Sequence, residues 1–333
     1  MVLITLSSGK NFKISGDSSI LESAFQSHVS LPYSCKTGRC SACKCKVISG
    51  ETKILIPEIG LTEKEKSEGW ILSCARTASS DVVMEVDDFE GIAIPEAKTQ
   101  VCRISILEKL APDVIKVALR LPPGEVFNFI PGQYIDIIGS GGIRRSYSLA
   151  NAPKADNTLE LHIRAVEKGA MSKYWFNQST VNDLLRLHGP QGTFFLRKFA
   201  QRDLIFLATG TGIAPVKAML EGLSNLPIDQ KPQSITVIWG ARYERDLYFD
   251  VSSLSGVEKY IPVLSRAEMT WQGERGYVQD VLLRHFSDLG NAVVYACGSD
   301  SMIHSAKSTL AASGLHSHDF YSEAFVCSNA LAQ

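Results

Sequence analysis

Four cysteines, Cys35, Cys40, Cys43 and Cys45, crowd the run YSCKTGRCSACKC and make up half of the eight in a chain of 333 residues. A further one, Cys74, follows in WILSCART. Thiols gathered this closely serve one of three chemistries: a disulfide staple, a tetrahedral zinc site or an iron–sulfur cluster.

The first residues, MVLITLSSGK, show no basic stretch leading into a long apolar run and a cleavage site, and no run of eighteen apolar residues follows. The sequence therefore predicts a cytoplasmic chain without a membrane span, whose thiols stay reduced, which sets the disulfide aside. A zinc ribbon needs two closely spaced pairs, and Cys74 has no nearby Cys or His. The spacing C-x4-C-x2-C over Cys35, Cys40 and Cys43, with Cys74 arriving from elsewhere, is that of plant-type [2Fe–2S] ferredoxins. Gly38, Ser41 and Ala42 are small enough for backbone N–H groups to approach the sulfurs. Cys45 falls outside the pattern and reads as a core thiol.

Other residues have chemical potential only in combination. RRSYSLANAP sets Arg145 and Tyr147 on one face of a strand and Ser146 and Ser148 on the other; singly, these also describe a surface cation and a sheet aromatic. EKGAMSKYW is a Gly-containing turn entering a helix, whose free N–H groups suit phosphate oxygens. GTGIAP stands between a buried strand and a helix, where glycines let backbone approach a pyrophosphate. It lacks the full Gly-x-Gly-x-x-Gly fingerprint, and no acidic residue ends the next strand in IWGARYERD.

In combination, Arg-x-Tyr-Ser, HIR, Gly-x-Met-Ser, GTGIAP, YACGS and FYSEAF resemble the ferredoxin–NADP reductase superfamily over roughly the last two-thirds of the chain. That family also lacks the dinucleotide fingerprint. The resemblance implies that Arg145 pairs with the FAD pyrophosphate, that Tyr147 packs on the isoalloxazine, and that Ser148 hydrogen-bonds near flavin N5. It also implies that Leu149 and the backbone around His162–Ala165, with His162 and Arg164, line the flavin, and that Gly169–Ser172, with Gly169, Met171 and Ser172, hold phosphate. Gly210, Thr211, Gly212 and Pro215 would take the nicotinamide dinucleotide, with Cys297 and Gly298 beside its ring. Glu323 would sit near the hydride path and Phe325 near the flavin. Ser265 and Arg266, in VLSR, stand where relatives that bind a 2′-phosphate place a Ser-Arg pair. The expected cofactors are FAD, a [2Fe–2S] cluster held by Cys35, Cys40, Cys43 and Cys74, and NADH, with NADPH tolerated.

The elements that must position these residues come in three textures. To about Phe89 the reading is strands VLITL and NFKIS, helix SILESAFQSH, the cysteine loop, strand CKVIS, a polar turn TEKEKSEG and strand VVMEV. This resembles the β-grasp fold of plant-type ferredoxins. A Pro-punctuated linker, EGIAIPEAKTQ, leads to five candidate strands, expected to form a sandwich or closed barrel; the family resemblance implies that GPQGTFFLR is its closing turn. From Asp203, apolar strands DLIFLATG, SITVIWG, KYIPVLS and AVVYACG alternate with helical patterns, the signature of a parallel sheet. The expected fold is thus multidomain α+β and α/β: a β-grasp ferredoxin domain over 1–92, an FAD-binding β-barrel over 98–200 and an NAD(P)-binding α/β domain over 203–333.

Net charge of −1 and a pI near 6.7 argue against a nucleic-acid binder. A hydride carries two electrons and an iron–sulfur cluster accepts one, so the resemblance implies a relay from NAD(P)H through FAD and the cluster to an outside partner enzyme. The finer spelling resembles the branch that reduces CDP-6-deoxy-Δ3,4-glucoseen in 3,6-dideoxyhexose (O-antigen) synthesis. There the partner is a CDP-4-keto-6-deoxyglucose-3-dehydrase that uses pyridoxamine phosphate and an iron–sulfur cluster. The alternatives are the reductase component of a bacterial mono- or dioxygenase and a non-enzymatic iron–sulfur scaffold. Lys36, Arg39, Lys44 and Lys46 form a basic collar in the cysteine loop, expected to face carboxylates of the partner or merely to solvate the loop.

Overall fold

The structure, a computed structural model, describes residues 1–325 apart from Ser15, Asp88, Glu90 and Asn225. Residues 326–333, the end of the third expected domain, and Glu90 of the expected linker lie outside the described residues. Among the described residues the chain divides into two compact units, Met1–Ile94 with Glu323 to Phe325, and Pro95–Ser322. No helix among the described residues is long and apolar enough to cross a membrane.

In the first unit a five-stranded sheet runs in the order Asn11–Ile14, Val2–Leu6, Val82–Glu85, Lys44–Ser49, Trp70–Leu72. Val2–Leu6 lies parallel to Val82–Glu85, so the first and last strands of the fold meet at its centre. Helix Ile20–Gln26 opens on a capping box: the Glu22 N–H donates to the Ser19 hydroxyl, and the Ser19 N–H to the Glu22 carboxylate. Its apolar face, Ile20, Leu21 and Ala24, closes the core over Ile4, Leu6, Leu72 and Met84. The stretch expected to be a polar turn is instead the helix Glu63–Ser67. Thr62 and Glu65 form a second capping box, whose T-x-x-E spelling was legible but overshadowed by the density of charge.

The second unit begins with a six-stranded sheet in the order Arg144–Ser148, Tyr134–Ile138, Leu184–Gln191, Lys98–Ala111, Val114–Arg120, Leu159–Arg164. A bridge between Leu149 and Leu161 joins its two edges and closes it into a barrel. Five of these strands follow the sequence reading. The sixth, Leu184–Gln191, overlaps the start of GPQGTFFLR, the expected closing turn; Leu185 and Leu187 point inward with the period of a strand. Lys98 to Gln100, expected in the linker, already belong to the long first strand of the barrel.

The parallel sheet that follows runs Glu274–Arg275, Lys259–Leu264, Ser234–Ala241, Asp203–Thr209, Ala292–Ser299, Phe320–Phe325. Strands Asp203–Thr209 and Ser234–Ala241 are buried nearly throughout, as helices Ile213–Leu223, Val278–His285 and Asp300–Ala312 require. Chain order proceeds outward from Asp203–Thr209 in one direction and then resumes on its other side with Ala292–Ser299. That reversal makes a topological switch point, where the carboxyl ends of parallel strands leave a crevice for a ligand.

Candidate functional site

The cysteine loop connects helix Ile20–Gln26 to strand Lys44–Ser49, and close backbone approach shapes it. Gly38 has φ +74°, and a Cβ there would lie 2.3 Å from the Pro57 carbonyl oxygen, so only glycine admits the overlying segment. The Gly60 N–H donates to the Gly38 carbonyl at 2.9 Å, and the Ser41 hydroxyl donates to the Gly60 carbonyl. Cys40, Cys43 and Cys74 are buried while Cys35 is half-buried.

The four thiols stand as two pairs. Cys43 Sγ lies 3.2 Å from Cys74 Sγ, and the Cys35 N–H points at Cys40 Sγ at 3.4 Å. In each pair one thiol donates to the other. Hydrogen bonding from Cys40 holds Cys35 down to about 5 against the opposing effect of burial, while its partner Cys40 is pushed up. Likewise Cys43 lowers Cys74 and is itself raised. Two and two is the donor set of a binuclear cluster, two thiolates for each metal, and binding would release the protons still held by Cys40 and Cys43. Cys45 is fully buried, and burial pushes its thiol well up; it donates weakly to the Ile71 carbonyl at 3.8 Å, as an inert core thiol would.

In the barrel, Tyr147 is half-buried; its hydroxyl accepts the Trp175 indole N–H at 2.9 Å, with the rings edge-on at 6.1 Å. Burial pushes this phenol up to about 12. Arg145 is also half-buried and donates to the Arg144 carbonyl, whereas Ser146 faces solvent and donates to Asp136. Ser148 is buried where the strand reaches the barrel seam, and Leu149 is fully buried there, its N–H donating to Gln133. Gly169 starts helix Ala170–Asn177, whose first amides lack intrahelical partners. The Ser172 hydroxyl accepts the Val166 N–H at 2.8 Å and steadies this turn. The Met171 side chain is buried against Gly139, so at this position only the backbone is left to meet a phosphate.

At the switch point the turn Gly210–Gly212 and the segment Cys297–Gly298 pack backbone to backbone. A Cβ on Gly212 would lie 2.2 Å from the Cys297 carbonyl oxygen, and one on Gly298 would lie 2.0 Å from Thr209 Oγ1. The Trp239 indole donates to the Gly210 carbonyl at 2.9 Å and fixes that turn. Thr211 is half-buried within it, and Pro215 sits in the first turn of helix Ile213–Leu223, where a missing N–H costs nothing. The Cys297 side chain is fully buried in the apolar cluster with Ile213 and Tyr295. Ser265 and Arg266 are exposed on the neighbouring strand end, their N–H groups held by the carbonyls of Ala241 and Arg242. Glu323 is buried and Phe325 exposed at the end of the last strand; both group with the first unit.

Three family models match the chain. A 2Fe-2S iron-sulfur cluster binding domain matches residues 4–79, an oxidoreductase FAD-binding domain residues 101–196 and an oxidoreductase NAD-binding domain residues 206–308. Over 323 residues, 96% of each chain, the protein is 39% identical to the CDP-6-deoxy-L-threo-D-glycero-4-hexulose-3-dehydrase reductase of Yersinia pestis. The chain belongs to the iron–sulfur flavoprotein reductases of the ferredoxin–NADP reductase superfamily. Within that family it is 32% identical to the phenol 2-monooxygenase reductase component DmpP of a Pseudomonas strain, over 95% of this chain and 92% of that one. Its fold matches that of the Amycolatopsis cytochrome P450 reductase GcoB with a TM-score of 0.74 at 25% identity, over 98% and 99% of the two chains. The reductase is an NAD(P)H-dependent oxidoreductase whose cofactors are FAD, NADH or NADPH and a [2Fe–2S] cluster. Together these groups turn a hydride into single electrons for an acceptor.

Two arrangements in the reductase escaped the sequence reading. Lys217 is buried, and its ammonium donates to the Ala150 carbonyl at 2.9 Å and to Glu221 at 2.6 Å, with Glu160 at 3.2 Å. Glu160 also meets His162 Nε2 at 2.9 Å, while His162 Nδ1 faces the Tyr248 hydroxyl at 3.3 Å. The helix that follows Gly210–Gly212 is thereby tied to the strand that follows Tyr147. Arg164 adds a second tie: a Cβ on Gly210 would meet its guanidinium at 2.6 Å. In the first unit, the buried Glu58 carboxylate accepts from the Leu72 N–H and from Arg76 at 2.7 Å each, anchoring the segment over the cysteine loop. A lone Lys on a helix or Glu in a loop carries no periodic signal. The only hint was that VKAMLEGL sets Lys217 and Glu221 one helical turn apart.

Proposed function

We propose that this reductase passes electrons from NADH through FAD and its [2Fe–2S] cluster to a CDP-4-keto-6-deoxyglucose-3-dehydrase in the cytoplasm. The observation that carries the reading is near-full-length identity of 39% to a reductase named for such a dehydrase, against 32% for oxygenase components. A mono- or dioxygenase component is the second reading, favoured by relatives such as the phenol 2-monooxygenase reductase. The division proposed is 1–92 for the cluster, 98–200 for FAD and 203–333 for NAD(P)H.

Cys35, Cys40, Cys43 and Cys74 are the proposed cluster ligands. Arg145 neutralises flavin pyrophosphate, with the amides of Gly169, Met171 and Ser172 receiving phosphate at a helix start. Tyr147, Leu149 and the strand from His162 to Arg164 shape the flavin's seat, and the Ser148 hydroxyl orients it. Gly210, Thr211, Gly212 and Pro215 accept the dinucleotide, with Cys297 and Gly298 walling the nicotinamide and Glu323 and Phe325 completing the hydride site. The test is reconstitution: the reductase, NADH, the dehydrase and its CDP-4-keto-6-deoxyglucose substrate are mixed, and the 3-deoxygenated sugar is sought. No sugar, with substantial turnover of an oxygenase hydroxylase driven by the same reductase, decides for the second reading.

Ser265 and Arg266 bear on the choice of nicotinamide. An exposed guanidinium at a strand end can grip a 2′-phosphate bidentately, but the Ser265 hydroxyl is turned to the Ala241 carbonyl at 3.3 Å. NADH is expected to work and NADPH to be tolerated, with Arg266→Ala raising the KM for NADPH and leaving that for NADH unchanged. A preference for NADPH beyond about a hundredfold, ~2.7 kcal/mol, would contradict this assignment.

A further inference from the structure

The segment laid over the cysteine loop presents apolar side chains to water. Ile54, Leu55 and Ile59 are 55%, 38% and 61% exposed, with exposed Pro57 between them. A single exposed aliphatic residue is ordinary, but a cluster of them on one short segment marks a contact surface. This segment touches both parts of the ligand set. Pro57 and Gly60 pack on Gly38 and Arg39 of the cysteine loop, and the Leu55 N–H donates to the carbonyl of Ala75, next to Cys74, at 2.8 Å. The inward Glu58, clamped by Arg76 and the Leu72 N–H, holds it in place, so the outward residues are displayed from a fixed support.

Along the cysteine loop and the segment over it, cations outnumber carboxylates. From Tyr33 to Gly60 there are five cations, Lys36, Arg39, Lys44, Lys46 and Lys53, against Glu51 and Glu58, although the whole chain carries a net −1. One of the two carboxylates, Glu58, is buried. Of the basic collar, Lys44 is paired with Glu65 at 3.0 Å and lies over the Trp70 ring, and Lys36 lies over Tyr33 at 4.6 Å. Exposed Lys53 adjoins Ile54 in the chain, and half-buried Arg39 packs its carbonyl on Gly60, next to Ile59.

We propose that the ridge of Ile54, Leu55, Pro57 and Ile59, rimmed by Arg39 and Lys53, is where an electron-accepting protein docks through an apolar spot ringed by carboxylates. The proposal rests on the relay to an outside acceptor described above and adds the surface that recognises it. A small apolar centre supplies contact, and the cationic rim supplies steering and orientation, as suits a brief electron-transfer encounter.

The test compares wild type with Ile54→Ser/Ile59→Ser and Lys53→Glu, using the dehydrase as acceptor at varied concentration. Reduction of the cluster by NADH is followed in parallel by stopped-flow absorbance. The double variant is expected to raise the KM for the dehydrase about tenfold, as loss of a contact worth ~1.4 kcal/mol would. Its NADH-driven cluster reduction and visible spectrum should match wild type. Lys53→Glu should raise the same KM at low salt, with the difference shrinking as ionic strength rises. An unchanged KM in the double variant overturns the proposal. So does an equal slowing of cluster reduction by NADH, which would assign the ridge to transfer within the chain. If wild type drives only an oxygenase component, the dehydrase reading fails, and the variants are measured against that component, where an unchanged KM again overturns the ridge.

Discussion

Cys40→Ser is expected to abolish reduction of cytochrome c by NADH and to leave ferricyanide reduction near the wild-type rate. Cys40 is 2% exposed and is the partner of Cys35, so a serine in its place would leave one half of the proposed two-by-two donor set with a single thiolate. A hydroxyl is a much weaker metal ligand than a thiolate and holds its proton far more tightly, and burial in this loop strengthens that difference. Ferricyanide takes electrons directly from flavin and bypasses the cluster. Cys45→Ser is the matching control: that thiol lies in the core and only its packing is at stake, so both activities should persist. Absorption spectra and acid-labile sulfide should show the cluster gone from the first variant and present in the second. Equal loss of both activities in Cys40→Ser, with FAD still bound, would reverse the proposed order of carriers.

Lys217→Met should destabilise the unit Pro95–Ser322 by about 3–5 kcal/mol, the usual cost of removing one partner from a buried ionic group. The ammonium lies between Glu160 and Glu221, and its loss leaves two carboxylates near one another without the cation that separates them. Lys217→Arg should retain most of the stability, and Lys217→Met/Glu160→Gln should recover part of the loss; thermal unfolding with FAD bound reads all three. The same group predicts acid sensitivity. Burial opposes the Glu160 carboxylate, but His162 and Lys217 outweigh it and hold the group at about 2, below its ordinary 4.5. Burial likewise lowers His162 below its ordinary 6.5 despite Glu160. Both folded-state values are depressed, so the unfolded chain takes up protons that the folded chain refuses. The His162 contribution is complete above pH 6.5 and declines below it; the Glu160 contribution declines from pH 4.5 toward about 2. Lys217→Met should flatten the lower part of this dependence, because Glu160 loses the nearby positive charge. An unfolding midpoint in Lys217→Met equal to wild type would show that the ammonium is not buried in solution.

What could be read from the sequence was whatever local chain geometry records. Cys35, Cys40 and Cys43 share one loop, so their spacing is itself part of the site's geometry. The parallel strands are buried on both faces and spell continuous apolar runs, and GTGIAP occupies the strand-to-helix step where a tight turn must form. Where local signals compete the structure departs from them: the charged stretch after Thr62 is a helix opened by the Thr62–Glu65 capping box, and the expected closing turn begins inside the sixth barrel strand. Tertiary structure alone decided how distant groups meet. It joined Cys43 to Cys74, packed Gly212 on Cys297, set Glu58 against Arg76, and brought Lys217 to the Ala150 carbonyl across 67 positions of chain. A helix or strand repeats its environment every few residues and so leaves a period in the sequence. A buried charge is compensated once, by whichever groups the packed fold brings within about 3 Å, and no period announces which groups those are.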